Sequence, residues 1–158
     1  MAPFSIREGD SLVQGDFSRL EGLIAELKTN HSVEIGVFKT AKTSDGHQVA
    51  EYGAYNEFGS ISGKLPKRSF IRMPLTKRQA KIEAKVRERV RAHLEAGDIK
   101  AIFKDIGIGG EAAIQEAFDT RGFGTWAPDA EITVERKGSD APLIDIGLLR
   151  NSVGNRVG

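Results

Sequence analysis

Residues 74–97 read PLTKRQAKIEAKVRERVRAHLEAG, and the fold turns on them. At ~100° per residue, Leu75, Ile82, Val86, Val90 and Leu94 collect on one face. Lys77, Arg78, Lys81, Lys85, Arg87, Arg89 and Arg91 occupy the rest of the circumference. Thr76 with Gln79 fits a capping box at the start, and Gly97 fits the position just past the end. The spacing therefore predicts a long amphipathic helix over about 74–96 with a cationic outer face. A single apolar stripe must be covered by another layer, so the neighbouring segments decide the fold class.

On the N-terminal side, Asp16 reads as a helix cap, and Phe17, Leu20, Ile24 and Leu27 follow at helical spacing. Residues 31–38 alternate Val33, Ile35 and Val37 with polar or small partners, the pattern of a half-buried strand. Residues 48–58 read as a short helix packing Val49, Tyr52 and Phe58 inward. The segments 39–47 and 60–66, rich in Gly, Ser, Thr and Lys, read as mobile loops, and Phe70 and Ile71 as a short extended lead into the long helix. On the C-terminal side, Asp98 caps a helix lined by Ile99, Ile102, Phe103 and Ile106. Gly107, Gly109 and Gly110 are expected to loosen or break it before residues 112–118 resume the pattern. Residues 121–140 look extended, with Ile132 and Val134 as strand candidates, and 148–153 as a short helix. The expected class is α+β: about four helices packed with a small, mainly antiparallel sheet, in one domain spanning 1–158.

The 158 residues carry a net charge of only +1, with 39% hydrophobic and 28% charged side chains, as in ordinary globular domains. That balance conceals segregation. Residues 1–60 hold five basic and nine acidic side chains, residues 61–104 thirteen and four, and residues 105–158 five and nine. A basic middle between acidic ends suits phosphate or an acidic neighbour. No cysteine is present, which excludes disulfides and thiolate metal sites. The acidic N-terminal stretch lacks a signal peptide's apolar run, and no segment is long enough to span a membrane, so a soluble, uncleaved chain is expected.

Candidate chemistry is sparse. Leu143-Ile-Asp145-Ile-Gly147 superficially resembles the aspartic-protease signature, but Ile146 stands where a hydroxyl residue is needed and no second half follows. Asp145 instead reads as the cap of a helix starting near Leu148. The glycines at 107–110 lack the Lys-Ser/Thr of a phosphate loop. His31, His47 and His93 are too scattered for a metal site. No catalytic residue, cofactor or metal is expected. Lys64, Lys67, Arg68 and Arg72 interleave with Pro66 and Phe70, which could form a non-specific nucleic-acid patch, though without paired stacking aromatics. Trp126, followed by Pro128, suits either an interface anchor or a seal over the core.

The order of the C-terminal motifs is more informative than any one of them. Gly124-Thr-Trp126-Ala-Pro128, Thr133, Lys137-Gly138 and then Pro142-Leu-Ile-Asp145-Ile-Gly147-Leu-Leu-Arg150-Asn-Ser152 follow one another. Upstream stand Val49-Ala-Glu-Tyr52, Asn56-Glu57-Phe58-Gly59 and Pro66-Lys-Arg68-Ser-Phe70-Ile-Arg72. Together they resemble the tail-completion family of tailed bacteriophages, whose members are often labelled virion morphogenesis proteins, over residues 32–153. Ile146 departs from the family's usual Asp-Thr-Gly. The resemblance implies a structural, non-enzymatic subunit in the virion's tail or head–tail neck, made in the host cytoplasm. It would form a ring, expected to be a hexamer, around the DNA channel beside terminator, connector or tube proteins, with non-specific DNA contact and no membrane. Glu57, Phe58, Gly59, Pro66, Arg68, Phe70, Arg72 and Trp126 then become the expected interface. Lys64, Lys67, Lys77, Lys81, Lys85 and Arg89 become the face toward DNA or an acidic partner. Pro142, Asp145, Gly147, Arg150 and Ser152 form a structural motif. The alternative is a nucleic-acid-binding module that uses the basic helix.

Overall fold

A computed structural model describes residues 5–8, 11–14, 18–38, 42–43, 46–145 and 147–158. The expected cap Asp16, its neighbour Phe17, most of the 39–47 loop and Ile146 lie outside the described residues. In chain order the elements are β1 (Ser5–Glu8), β2 (Ser11–Gln14), α1 (Ser18–Leu27), β3 (Val33–Val37), α2 (Val49–Phe58), α3 (Arg72–Ala96), α4 (Ile99–Asp119), α5 (Glu131–Lys137), α6 (Leu148–Asn151) and β4 (Val153–Val157). The described strands form two antiparallel pairs, β1 with β2 and β3 with β4. The class is α+β, with six helices where about four were expected.

The long helix is present and ends as its sequence predicts. Gly97 adopts φ 75°, and its N–H returns to the carbonyls of His93 and Leu94. Asp98 then caps α4 through Ala101 N–H at 2.9 Å. This two-residue connection folds α3 and α4 back on each other as an antiparallel hairpin, because Arg78 reaches Glu116 while Arg89 and His93 reach Asp105. The start of α3 differs from expectation: it begins at Arg72, so Thr76 and Gln79 lie inside the helix. Phe70 and Ile71 form a bend, with no extended lead.

The glycines of α4 do not break it; the helix is continuous from Ile99 to Asp119. They permit close approach instead. A Cβ on Gly107 would lie 2.5 Å from Asn155 Oδ1, and one on Gly109 3.1 Å from Ile82. One on Gly110 would strike Ile35. The hairpin and the β3–β4 pair thus pack on glycine-thinned faces of one helix. That pairing joins residue 33 to 157 and 37 to 153.

The core gathers Val49, Phe70, Ile114, Ala117, Phe118, Trp126, Leu143, Leu149 and Val153. The Phe118 ring lies between Phe70 and Trp126, at centroid distances of 5.7 and 5.5 Å. Two expectations fail nearby. Residues 131–137 form helix α5, not a strand, and Ile132 is exposed. Glu131 in its first turn, Arg136 and Lys137 in its last and left-handed Gly138 outweigh a two-residue alternation. In α2 the buried residues are Val49, Gly53, Asn56 and Glu57, while Tyr52 and Phe58 face solvent.

Candidate functional site

The residues that fix the start of α3 come from α2. Glu57 Oε2 accepts the N–H groups of Phe70 (2.7 Å) and Ile71 (2.9 Å). Its Oε1 accepts Ser69 Oγ–H (2.7 Å), Arg72 N–H (3.2 Å) and Arg72 Nε–H (3.1 Å). One buried carboxylate therefore occupies the free N–H end of a 25-residue helix, where the helix dipole favours negative charge. Burial raises the Glu57 pKa, but the hydrogen bonds from Ile71, Ser69 and Arg72 outweigh it and hold the carboxyl below its ordinary value. Gly59 makes the geometry possible. It sits at φ 77°, and a Cβ there would lie 3.1 Å from Leu65 O and Lys67 N. Asn56 O accepts Arg68 N–H at 2.8 Å, and Leu65 N–H donates to Ser60 Oγ, which closes the 60–66 turn with Pro66 half-buried.

A second set of contacts ties this clasp to the C-terminal third. Arg68 donates from Nε to Ala127 O (2.8 Å) and from Nη2 to Pro128 O (2.7 Å), and pairs with Asp129 at 3.0 Å. Asp129 also holds Lys137 at 2.7 Å, and Lys137 donates to Ala141 O. All three side chains are buried, so each charge depends on its partner. Trp126 donates Nε1–H to Ser69 O at 3.2 Å, with its ring against Gly122, which adopts φ 68°. Further along, Pro142 is buried and Gly147 (φ 76°) precedes α6. Arg150 binds Gln115 and pairs with Asp119 at 2.6 Å, and Ser152 Oγ–H donates to Leu148 O. Asp145 is exposed, and no side-chain hydrogen bond caps α6, contrary to the predicted role. Left-handed Gly147 takes the cap position itself.

Four residues expected at an interface, Glu57, Arg68, Phe70 and Trp126, are therefore turned inward and joined to one another. Phe58 and Arg72 stay at the surface, where the guanidinium lies 4.7 Å from the ring centre. The basic face is also less free than the sequence suggests. Arg78 and Lys81 reach Glu116 at 2.6 and 3.6 Å, and Arg89 reaches Asp105 at 2.7 Å. The hydrogen bond from Arg78 holds the Glu116 carboxyl below its ordinary pKa. Much of the charge segregation is thus neutralised within the α3–α4 hairpin. Lys77 lies over the Phe123 ring, and Lys64, Lys67 and Lys85 remain exposed. Lys67, Arg72 and Lys77 line a cleft of about 750 Å³ beside Trp126 at the head of α3. Its helix N-terminus is already taken by Glu57, so only side-chain cations face an anion there.

Two apolar surfaces are open. One is the outer side of α2, with Tyr52, Tyr55 and Phe58. The other is a groove of about 1010 Å³ along the apolar stripe of α3, bounded by Arg19 and Leu23 of α1. Among the described residues no cluster of three metal-ligating side chains occurs, and no helix is long and apolar enough to cross a membrane.

This chain matches no family model, no characterised protein and no solved structure.

Sequence reasoning missed Asp129, Lys137, Glu116 and Asp105, whose partners lie 8 to 69 positions away. The only available signal was their sign: acids after residue 104 facing an excess of bases before it.

Proposed function

We propose that the protein is a structural subunit that completes the head-proximal end of a bacteriophage tail or the neck between head and tail. It would act in a ring around the DNA channel and carry out no catalysis. The observation that supports this most is the convergence of the two motif groups behind the resemblance. Asn56-Glu57-Phe58-Gly59, Pro66 to Arg72 and Trp126 to Asp129 meet in one hydrogen-bonded unit that sets the start of α3. Motifs of that kind specify a scaffold, as expected of an assembly protein, and leave its outer faces for partners.

The ring would sit against terminator, connector or tube proteins in the virion. Lys64, Lys67, Lys77 and Lys85 would give any DNA contact, through phosphate and without reading sequence. The decisive test is electron microscopy of particles from a phage lacking this gene. Full heads accumulating beside unattached tails are expected. Normally joined virions would remove the proposal.

A further inference from the structure

The outer face of α2 and the groove along α3 are unlike in shape and cannot meet within one molecule. Tyr52, Tyr55 and Phe58 are 50%, 64% and 62% exposed, and Ile61 just beyond them stands fully in solvent. Their outward position follows from the clasp. Glu57 must face inward to hold α3, and a helix advancing ~100° per residue then turns Tyr55 and Phe58 away from the core. The result is a convex aromatic ridge on a helix fixed from beneath, where Gly53 packs against Phe70 and Leu149. The groove lies elsewhere, floored by Leu75, Ile82, Val86, Val90, Leu94 and Ile106, between α1, α3 and α4. The ridge packs on β3 and α6, so it cannot swing into the groove of its own chain.

The charges around the two surfaces are complementary. The exposed face of α2 carries Glu51 and no base. The groove's rim carries Arg19, Arg87 and Arg91. Aromatic side chains with a polar tip, entering an apolar groove with a charged rim, have the composition of a protein–protein interface core.

We propose that the aromatic ridge of α2 on one copy of this chain seats in the α3 groove of the next copy, joining subunits head to tail. This rests on the assembly reading above and names the contact that would carry it. Because ridge and groove are different surfaces, the contact is heterologous. It propagates from copy to copy and closes into a ring when the rotation between copies fits.

The absence of native cysteine allows a direct test in the full chain. Tyr55→Cys and Val90→Cys variants, mixed under mild oxidation, should give a cross-linked heterodimer, while neither alone should cross-link. In sedimentation velocity, Tyr55→Asp and Val86→Asp should each shift the wild-type oligomer to monomer. Mixed one to one, they should recover a species of twice the monomer mass and nothing larger, since each pair keeps one intact ridge and one intact groove. Unchanged far-ultraviolet dichroism would establish that both variants fold. Homodimeric cross-links only, no cross-link at all, or oligomers that persist in both Asp variants would overturn the contact, and none of these bears on the neck role. Cross-linked heterodimer from a protein whose phage completes its virions without it would uphold the contact and remove the neck role instead.

Discussion

Replacing Glu57 by Gln keeps the side chain's size and removes one acceptor oxygen. The carboxylate now serves two backbone N–H groups on Oε2, and Ser69, Arg72 N–H and Arg72 Nε–H on Oε1. Whichever position the amide nitrogen takes, it points a donor at donors. On the Oε2 side it strands Phe70 and Ile71 N–H; on the Oε1 side it strands both Arg72 donors. Two lost bonds at about 1–3 kcal/mol each predict a cost of about 2–6 kcal/mol. Against a total stability of about 5–15 kcal/mol that is a large fraction. At this chain length the melting temperature should fall by roughly 5–20 °C. The sign of the pH dependence follows from the lowered pKa. Ionised Glu57 stabilises the fold fully above its ordinary value of 4.5, and that contribution is lost as pH falls through the lower folded-state pKa. Calorimetry from pH 7 to pH 3 should therefore find wild type and Glu57→Gln far apart at neutral pH and converging in acid. A neutral-pH fall of under about 3 °C, or a constant gap, would refute the clasp as the anchor of α3.

Arg68→Ala should cost about 3–5 kcal/mol by leaving the Ala127 and Pro128 carbonyls and part of the Asp129 charge unpaired inside the protein. Urea unfolding measures it, and a loss below about 1 kcal/mol would count against a buried tie. Gly107→Ala should destabilise by about 1–3 kcal/mol, because the new methyl meets Asn155 on β4. Thermal melts should record no loss if α4 tolerated the glycine only as a helix break. Lys85→Glu with Arg87→Glu should leave stability within about 0.5 kcal/mol, since neither side chain forms an ion pair among the described residues. Lys81→Glu with Arg89→Glu should lower the melting temperature, because both bases face α4 carboxylates.

The parts of this protein that were legible in its sequence are those whose causes are local. The end of α3 at Gly97, the Asp98 cap, the alternation of β3 and the helix at 49–58 each depend on residues within a turn or two. The α+β class follows from those elements and the apolar stripe of α3. What only the tertiary structure decided are the features whose partners are far apart in the chain. The start of α3 moved to Arg72 because its free N–H groups find a carboxylate fifteen positions upstream, which no local capping signal reports. The same carboxylate turned α2 over and put its aromatics into solvent. The glycines of α4 became contact points because Asn155 and Ile35 press on them. The C-terminal strand formed because β3 offered a free edge, and the basic block lost much of its free charge to α4. A side chain's identity fixes which hydrogen bonds and contacts it is able to make. The folded chain fixes which of them are within reach.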